Sequence, residues 1–152
     1  MASTIQLATA GDCAEVMACV HDAYVGYVGA IGRRPAPMDA NYADLIGRDV
    51  VYVLRESGDE RLLGVIVLHD EASGLFVENM AVHPAHQHRG FGRQLMAFAE
   101  DRARGFGLPE IRLYTNARMV ENIALYGRLG YDEIERRTDE GFARVFMRKL
   151  LP

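Results

Sequence analysis

Apolar and polar residues alternate around Ile5 and Leu7, and the pattern then changes to helical spacing through Val16, Val20 and Ala23. Thr9 and Asp12 lie between the two as a Ser/Thr-x-x-acid start signal, so the chain opens with a strand and a helix. Gly26, Gly29, Gly32, Arg33, Arg34, Pro35 and Pro37 break the periodicity and predict a loop, followed by a short helix over residues 39–46. Residues 50–54 and 62–68 are rich in β-branched and apolar types, and Ser57-Gly58-Asp59-Glu60 between them has turn chemistry, which predicts a hairpin. Residues 75–82 add a third strand, stopped at His83-Pro84 because the residue before proline prefers extended geometry. Leu95, Phe98, Ala99 and Arg102 then place a helix over 91–106, ended by Gly105 and Gly107 with Pro109 beyond. A strand over 111–115, a helix over 121–129 ended by Gly130, and strands over 131–137 and 143–147 around Asp139-Glu140-Gly141 complete the chain.

These elements describe one domain over residues 3–152 of mixed α/β (α+β) class. About seven strands form a mostly antiparallel twisted sheet covered by helices on both faces. The strand over 75–82, the helix after it and the strand over 111–115 form a single β-α-β crossover, expected to be parallel and right-handed and to carry the ligand. With 49% apolar and 25% charged residues the composition is that of an ordinary globular chain. Its formal net charge of −4, from 17 basic and 21 acidic side chains, gives no global field for nucleic acid or anionic membrane. Cys13 and Cys19, six apart on one helix, fall on different faces and are expected as reduced thiols. The segment MASTIQLATAGD has no basic and apolar leader pattern, and no apolar run reaches the ~20 residues of a membrane span, so the expected location is the cytoplasm.

The chemistry concentrates in Gln87-His88-Arg89-Gly90-Phe91-Gly92-Arg93, between the end of a strand and the first turn of a helix. Amide groups there lack intrahelical partners, two glycines admit close approach, and Arg89 and Arg93 add fixed cations, a combination suited to a pyrophosphate. A dinucleotide fingerprint would need glycine where Leu95 stands, and no Gly-Lys-Ser/Thr sequence supports a nucleoside-triphosphatase loop. His83, His86 and His88 are closely spaced but lack the cysteine pair or acid of a zinc site, so no metal is expected. Arg93, Arg102 and Arg104 are taken as a solvated helix face.

The pattern Gln87-x-x-Gly90-x-Gly92, preceded by Asn79-Met80-Ala81-Val82-His83-Pro84, resembles the loop and fourth strand of the GNAT superfamily of N-acetyltransferases. Ala124-Leu125-Tyr126-Gly127-Arg128-Leu129-Gly130-Tyr131 is similar to the same family's Leu-Tyr-x-x-x-Gly-Phe/Tyr signature, at a spacing that fits the intervening helix and strand. The resemblance implies an acetyl-CoA site where the fourth and fifth strands splay apart. Pantetheine would bond to the backbone of Met80, Ala81 and Val82, and the pyrophosphate would meet His88, Arg89, Gly90, Phe91, Gly92 and Arg93. The family often carries an asparagine seven residues before its tyrosine, where this chain has Met119. Asn122 and Asn116 are the available substitutes, and Asn122, four residues from Tyr126, shares its helix face.

Acetyl transfer to an amine needs a neutral nucleophile, whereas an aliphatic amine is mostly protonated near neutrality, so a base must take one proton. The departing thiolate has a parent pKa near about 8.5, and a tyrosine at about 10 can protonate it. The resemblance places the Tyr126 hydroxyl near the cofactor sulfur, as general acid; the other reading is a helix aromatic packed in the core. Glu78 is the sole charged residue in the run 75–82, and strand alternation sets it with Phe76 and Met80. It is either a cleft-lining base, acting directly or through water, or a glutamate turned to solvent. Neither cysteine has a His/Asn constellation near it in sequence, so direct transfer is expected rather than an acyl-cysteine route.

The acceptor site should be built by the loop 26–38 and the hairpin tip at Asp139-Glu140-Gly141. Tyr24, Tyr27 and Arg33-Arg34-Pro35 are candidate walls; Asp132, Glu133, Glu135, Asp139 and Glu140 either attract a cationic amine or keep the surface soluble. The expected partner is a small-molecule or peptide amine, with no nucleic acid and no membrane, and a homodimer is compatible with the fold. The alternative function is a non-catalytic acyl-CoA-binding sensor, and a weaker one is transfer of a longer acyl group.

Overall fold

The structure, a computed structural model, describes residues 3–58 and 60–152. The strands are β1 (Ser3–Leu7), β2 (Val51–Glu56), β3 (Leu62–Glu71), β4 (Gly74–Val82), β5 (Glu110–Asn116), β6 (Asp132–Asp139) and β7 (Phe142–Leu150). The helices are α1 (Cys13–Tyr24), α2 (Val28–Ile31), α3 (Tyr42–Gly47), α4 (Phe91–Gly105) and α5 (Val120–Arg128). The strands form one seven-stranded sheet in the order β1-β2-β3-β4-β5-β7-β6. Every neighbouring pair is antiparallel except β4 and β5, which α4 connects in parallel. This is the mixed α/β architecture that the hydrophobic pattern predicts.

Each face of the sheet is sealed by its own helices. Leu95, Met96, Ala99 and Ala103 of α4 pack with Leu63, Ile66, Leu75, Val77, Ile111 and Leu113 on one side. Val16 and Val20 of α1, with Leu45 and Ile46 of α3, pack on Val51, Val53, Val65 and Val67 on the other. β3 is buried on both faces from Leu62 to Leu68, which is why its sequence is a continuous apolar run rather than an alternating one.

Several boundaries differ from expectation, each for a local reason. Asp12 Oδ2 accepts from Thr9 N–H at 2.8 Å, but the box caps a 3-10 turn (Ala10–Asp12) that leads into α1. The stretch read as loop contains 3-10 turns at Val25–Tyr27 and Ala36–Asp39 as well as α2, which is cut short where Gly32 takes a left-handed φ of 87°. α3 begins at Tyr42 because Asn41 is its cap, its side chain accepting from Asp44 N–H at 3.0 Å. β3 extends to Glu71 because ladder pairing carries on to Gly74 after the apolar residues end. Asp59 of the expected 57–60 turn, and Met1 and Ala2 of the leader reading, lie outside the described residues. Among the described residues no helix is long and apolar enough to cross a membrane.

Two features of β4 create the cleft. Its parallel pairing with β5 runs from Leu75↔Ile111 only as far as Val77↔Leu113, after which the strands part. At that point the β3–β4 register passes from Leu68↔Val77 to Val67↔Asn79, leaving Glu78 as the extra residue of a β-bulge. Simple alternation, which grouped Glu78 with both Phe76 and Met80, is therefore corrected. Met80 joins Leu75 and Val77 in the cluster under α4, while Glu78 stays on the opposite face with Asn79, whose amide meets Tyr24 and Tyr42.

Candidate active site

Two cavities open on the parted strands. The larger, about 490 Å³, is lined by Met80, Ala81 and Val82 of β4, by Gln87, His88, Gly90, Phe91, Gly92 and Arg93, and by Asn122 and Leu125 of α5. Gln94 N–H is the first amide of α4 to find a helical carbonyl, that of Gly90 at 3.0 Å, so those of Phe91, Gly92 and Arg93 stand ahead of the helix's own ladder. Gly90 caps the helix with φ 85°, a conformation costly for residues with a Cβ. A Cβ on Gly92 would lie 3.3 Å from Leu125 and 3.4 Å from Met80, a tight fit against the ends of two flexible side chains. These residues fit an elongated anionic ligand whose phosphates sit on the helix start.

His83 N–H bonds to Leu63 carbonyl, so alternation turns the peptide groups of Ala81 toward β3 and those of Met80 and Val82 into the gap. The partners agree: Met80 carbonyl accepts from the Tyr24 hydroxyl at 3.1 Å, and Val82 carbonyl from Gln87 Nε2 at 3.1 Å. Ala81 lines the cavity while its backbone belongs to the ladder. Arg89 is not on this wall; its guanidinium lies 3.2 Å from His86 Nδ1 and 4.0 Å from Glu56. Of the three loop histidines, His83 faces Asp22 at 3.3 Å and packs on the buried His86 with ring centroids 5.6 Å apart, while His88 lines the cavity. Arg102 pairs with Asp70 and Arg104 with Glu100 and Asp101, so of that arginine set only Arg93 reaches the cleft.

The smaller cavity, about 50 Å³, lies on the far side of the bulge. Its walls include Pro35, Ala36 and Pro37 from the segment after α2, Glu78 and Asn79 from β4, Tyr114 and Asn116 from β5, Tyr126 from α5, and Phe142 and Arg144 from β7. Arg33 stacks on the Phe142 ring at 4.0 Å and closes the segment over the hairpin tip. Tyr27 lines the larger cavity, and Arg34 is tied to Asp39 at 2.9 Å. The hairpin acids are largely paired: Glu133 with Arg136, Glu135 with Arg137, Asp139 and Glu140 with Arg144.

The two cavities meet at Tyr24, Met80, Met119 and Asn122, which line both. Asn122 thus reaches the cofactor side, whereas Asn116 lines only the smaller cavity and caps the next turn by accepting from Arg118 N–H at 2.9 Å. Tyr126 is 4% exposed and sits edge-on to Tyr131, with ring centroids 5.9 Å apart. It is at once a core aromatic and a cavity wall, and burial pushes its phenol pKa well above the ordinary value. Glu78 Oε1 lies 2.8 Å from His69 Nε2. Cys19 is buried, and desolvation raises its thiol to about 12, which leaves it no thiolate for chemistry near neutrality.

Sequence reasoning missed Asn79, His69 and Arg144. The signal for the first was the adjacent polar pair Glu78-Asn79 inside an apolar strand, which no period-2 pattern accommodates. Arg144, within the run 143–147, was the equivalent signal on β7.

The parted strands, with a helix start suited to an anion on one side and a polar cavity on the other, form a cleft compatible with a two-substrate transferase. The acetyltransferase (GNAT) family model matches residues 31–131, and the chain belongs to that family, whose members take the acyl group from acetyl-CoA. Among curated proteins no sequence matches it significantly. The PaiA N-acetyltransferase from Thermoplasma acidophilum, solved in complex with coenzyme A, superposes with a TM-score of 0.84 at 17% identity, over 99% of this chain and 100% of that one. The ribosomal-protein-S18-alanine N-acetyltransferase from Escherichia coli gives 0.78 at 19%, over 98% and 94%. A chimera of the spermidine N-acetyltransferase SpeG from Vibrio cholerae and hSSAT gives 0.76 at 19%, over 97% and 95%. At such identities the likeness is one of fold.

Proposed function

We propose that this chain, as one domain over residues 3–152, moves an acetyl group from acetyl-CoA directly to a primary amine of a small molecule or peptide. The observation that carries this reading is the meeting of the two cavities at Tyr24, Met80, Met119 and Asn122: a donor in the larger and an amine in the smaller come together there. The amides of Phe91, Gly92 and Arg93, with the Arg93 guanidinium, hold the pyrophosphate, and Gln87, His88 and Gly90 shape its loop. Backbone groups of Met80 and Val82 hold the pantetheine arm, and Asn122 takes the place of the family asparagine.

Glu78 takes a proton from the acceptor ammonium, directly or through water, and the neutral nitrogen attacks the thioester. Tyr126, kept protonated by burial, gives its proton to the departing sulfur, and the second proton of the attacking nitrogen, lost as the tetrahedral intermediate collapses, restores the phenol. Peptide and small-molecule acceptors both enter beneath the Pro35–Pro37 segment; neither nucleic acid nor membrane is needed, and the cytoplasm supplies the donor. A panel of amines scored by CoA release tests this reading. Release that depends on one amine class and falls sharply in Tyr126→Phe supports it; folded, CoA-binding protein that releases nothing with any amine contradicts it.

A further inference from the structure

The bulge that turns Glu78 into the smaller cavity also sets it against His69, a residue with no part in the roles above. His69 stands opposite Phe76 in the β3–β4 ladder, and the two rings stack with centroids 6.2 Å apart. Phe76 in turn packs on Tyr114 of the cavity wall, with centroids 5.6 Å apart, so the imidazole is backed by a fixed aromatic pair. Its Nε2 reaches Glu78 Oε1 at 2.8 Å, and both side chains keep about a quarter of their surface, 24% and 28%. An ionised carboxylate only accepts, so this bond requires a proton on Nε2. It engages Oε1 and leaves Oε2 for a donor arriving in the cavity.

Resting on the reading of Glu78 as base, we infer that His69 is a positioning residue that holds the carboxylate by Oε1 and presents Oε2 to the acceptor ammonium. In that step an N–H bond of the ammonium breaks and its electron pair stays on nitrogen. The proton forms a bond to Oε2, and the His69 Nε2–H bond to Oε1 is kept. The other groups near Glu78 are differently employed. Tyr42 of α3 and Tyr114 of β5 feel its charge, but the Tyr42 hydroxyl donates to Pro37 carbonyl at 2.6 Å. Arg144 of β7 is taken up by Asp139 and Glu140.

The test compares kcat and KM for His69→Leu, His69→Gln, Glu78→Gln and the double variant His69→Leu/Glu78→Gln. The acceptor is whichever of benzylamine, spermidine and an alanine-initiated peptide releases CoA fastest, and acetyl-CoA affinity is read separately by calorimetry. A misplaced base costs up to about a hundredfold in rate, so His69→Leu is expected to lower kcat by tenfold or more with acetyl-CoA binding unchanged. His69→Gln, whose amide N–H donates to the same oxygen, restores most of the rate. His69→Leu adds no further loss once Glu78 is Gln, because the two act as one unit. Should His69→Leu fail to fold, His69→Asn, too short to reach Oε1, takes its place. Wild-type kcat in His69→Leu beside a slow Glu78→Gln overturns the positioning role alone, as does a loss that simply adds in the double variant. Wild-type kcat in Glu78→Gln overturns the base reading and this inference with it, and no transfer to any of the three amines by folded, CoA-binding protein overturns the transferase reading beneath both.

Discussion

The hydroxyl of Tyr24 donates to the amide oxygen of Asn79 at 2.6 Å, tying the last residue of α1 to β4 at the point where the sheet divides. The other half of the Asn79 amide donates to the Tyr42 hydroxyl at 3.1 Å, which passes the link to Pro37 on the roof of the smaller cavity. One buried side chain thus connects the junction of the two cavities, the bulge and the roof of the smaller cavity.

Asn79→Ala removes two buried hydrogen bonds and leaves Tyr24 with Met80 carbonyl and Tyr42 with Pro37 carbonyl alone, which costs about 1–3 kcal/mol of stability. Because Pro37 is then held less firmly, the acceptor KM is expected to rise while acetyl-CoA affinity stays near wild type. Urea denaturation and steady-state kinetics on one preparation measure both.

Tyr126→Phe removes a hydroxyl and no packing volume. Turnover is expected to fall by about 10²–10⁴-fold, the usual worth of a proton donor in the transition state, with acetyl-CoA binding by calorimetry unchanged. Equal turnover in the two proteins would return Tyr126 to a purely structural role.

Burial raises the phenol pKa values of Tyr24, Tyr42, Tyr126 and Tyr131 in the folded protein. In the unfolded chain these phenols ionise near about 10, so above that pH the unfolded state binds fewer protons than the native one and stability falls as pH rises. Each such tyrosine contributes a loss of up to about 1.4 kcal/mol per pH unit, and the buried Cys19 thiol, raised to about 12, begins the same loss near pH 8.5, so denaturation midpoints should start to fall above about pH 8.5 and drop more steeply by pH 11. The same shift keeps Tyr126 a proton donor, and no fall in kcat from its ionisation is expected between pH 8 and 10.

Element order and the sheet's two faces were legible because β3 and α4 have unambiguous hydrophobic patterns. The loop at residues 87–93 was legible because its chemistry is local: glycines, cations and a helix start in seven residues. The pair Glu78–His69 was not, since it depends on a one-residue register slip between two strands, and a period-2 reading carried Met80 to the wrong face. The roof of the smaller cavity was legible in part: the loop 26–38 and the hairpin tip were read as its builders, but the pairing of Arg33 with Phe142 across 109 residues of chain is a contact that only the folded sheet brings about.

The account stands on acetyl-CoA occupying the cleft with its pyrophosphate on the start of α4, and calorimetric titration of acetyl-CoA into the wild type, Gly90→Ala and Gly90→Glu tests that directly. The alanine variant carries the backbone strain of a Cβ at φ 85° without the charge, so it isolates the effect of the anion. Micromolar binding by the wild type, weakened slightly by alanine and abolished by glutamate, is the predicted result. Folded wild-type protein that takes up no acetyl-CoA, or a glutamate variant that binds it as well as the alanine variant does, would contradict the account.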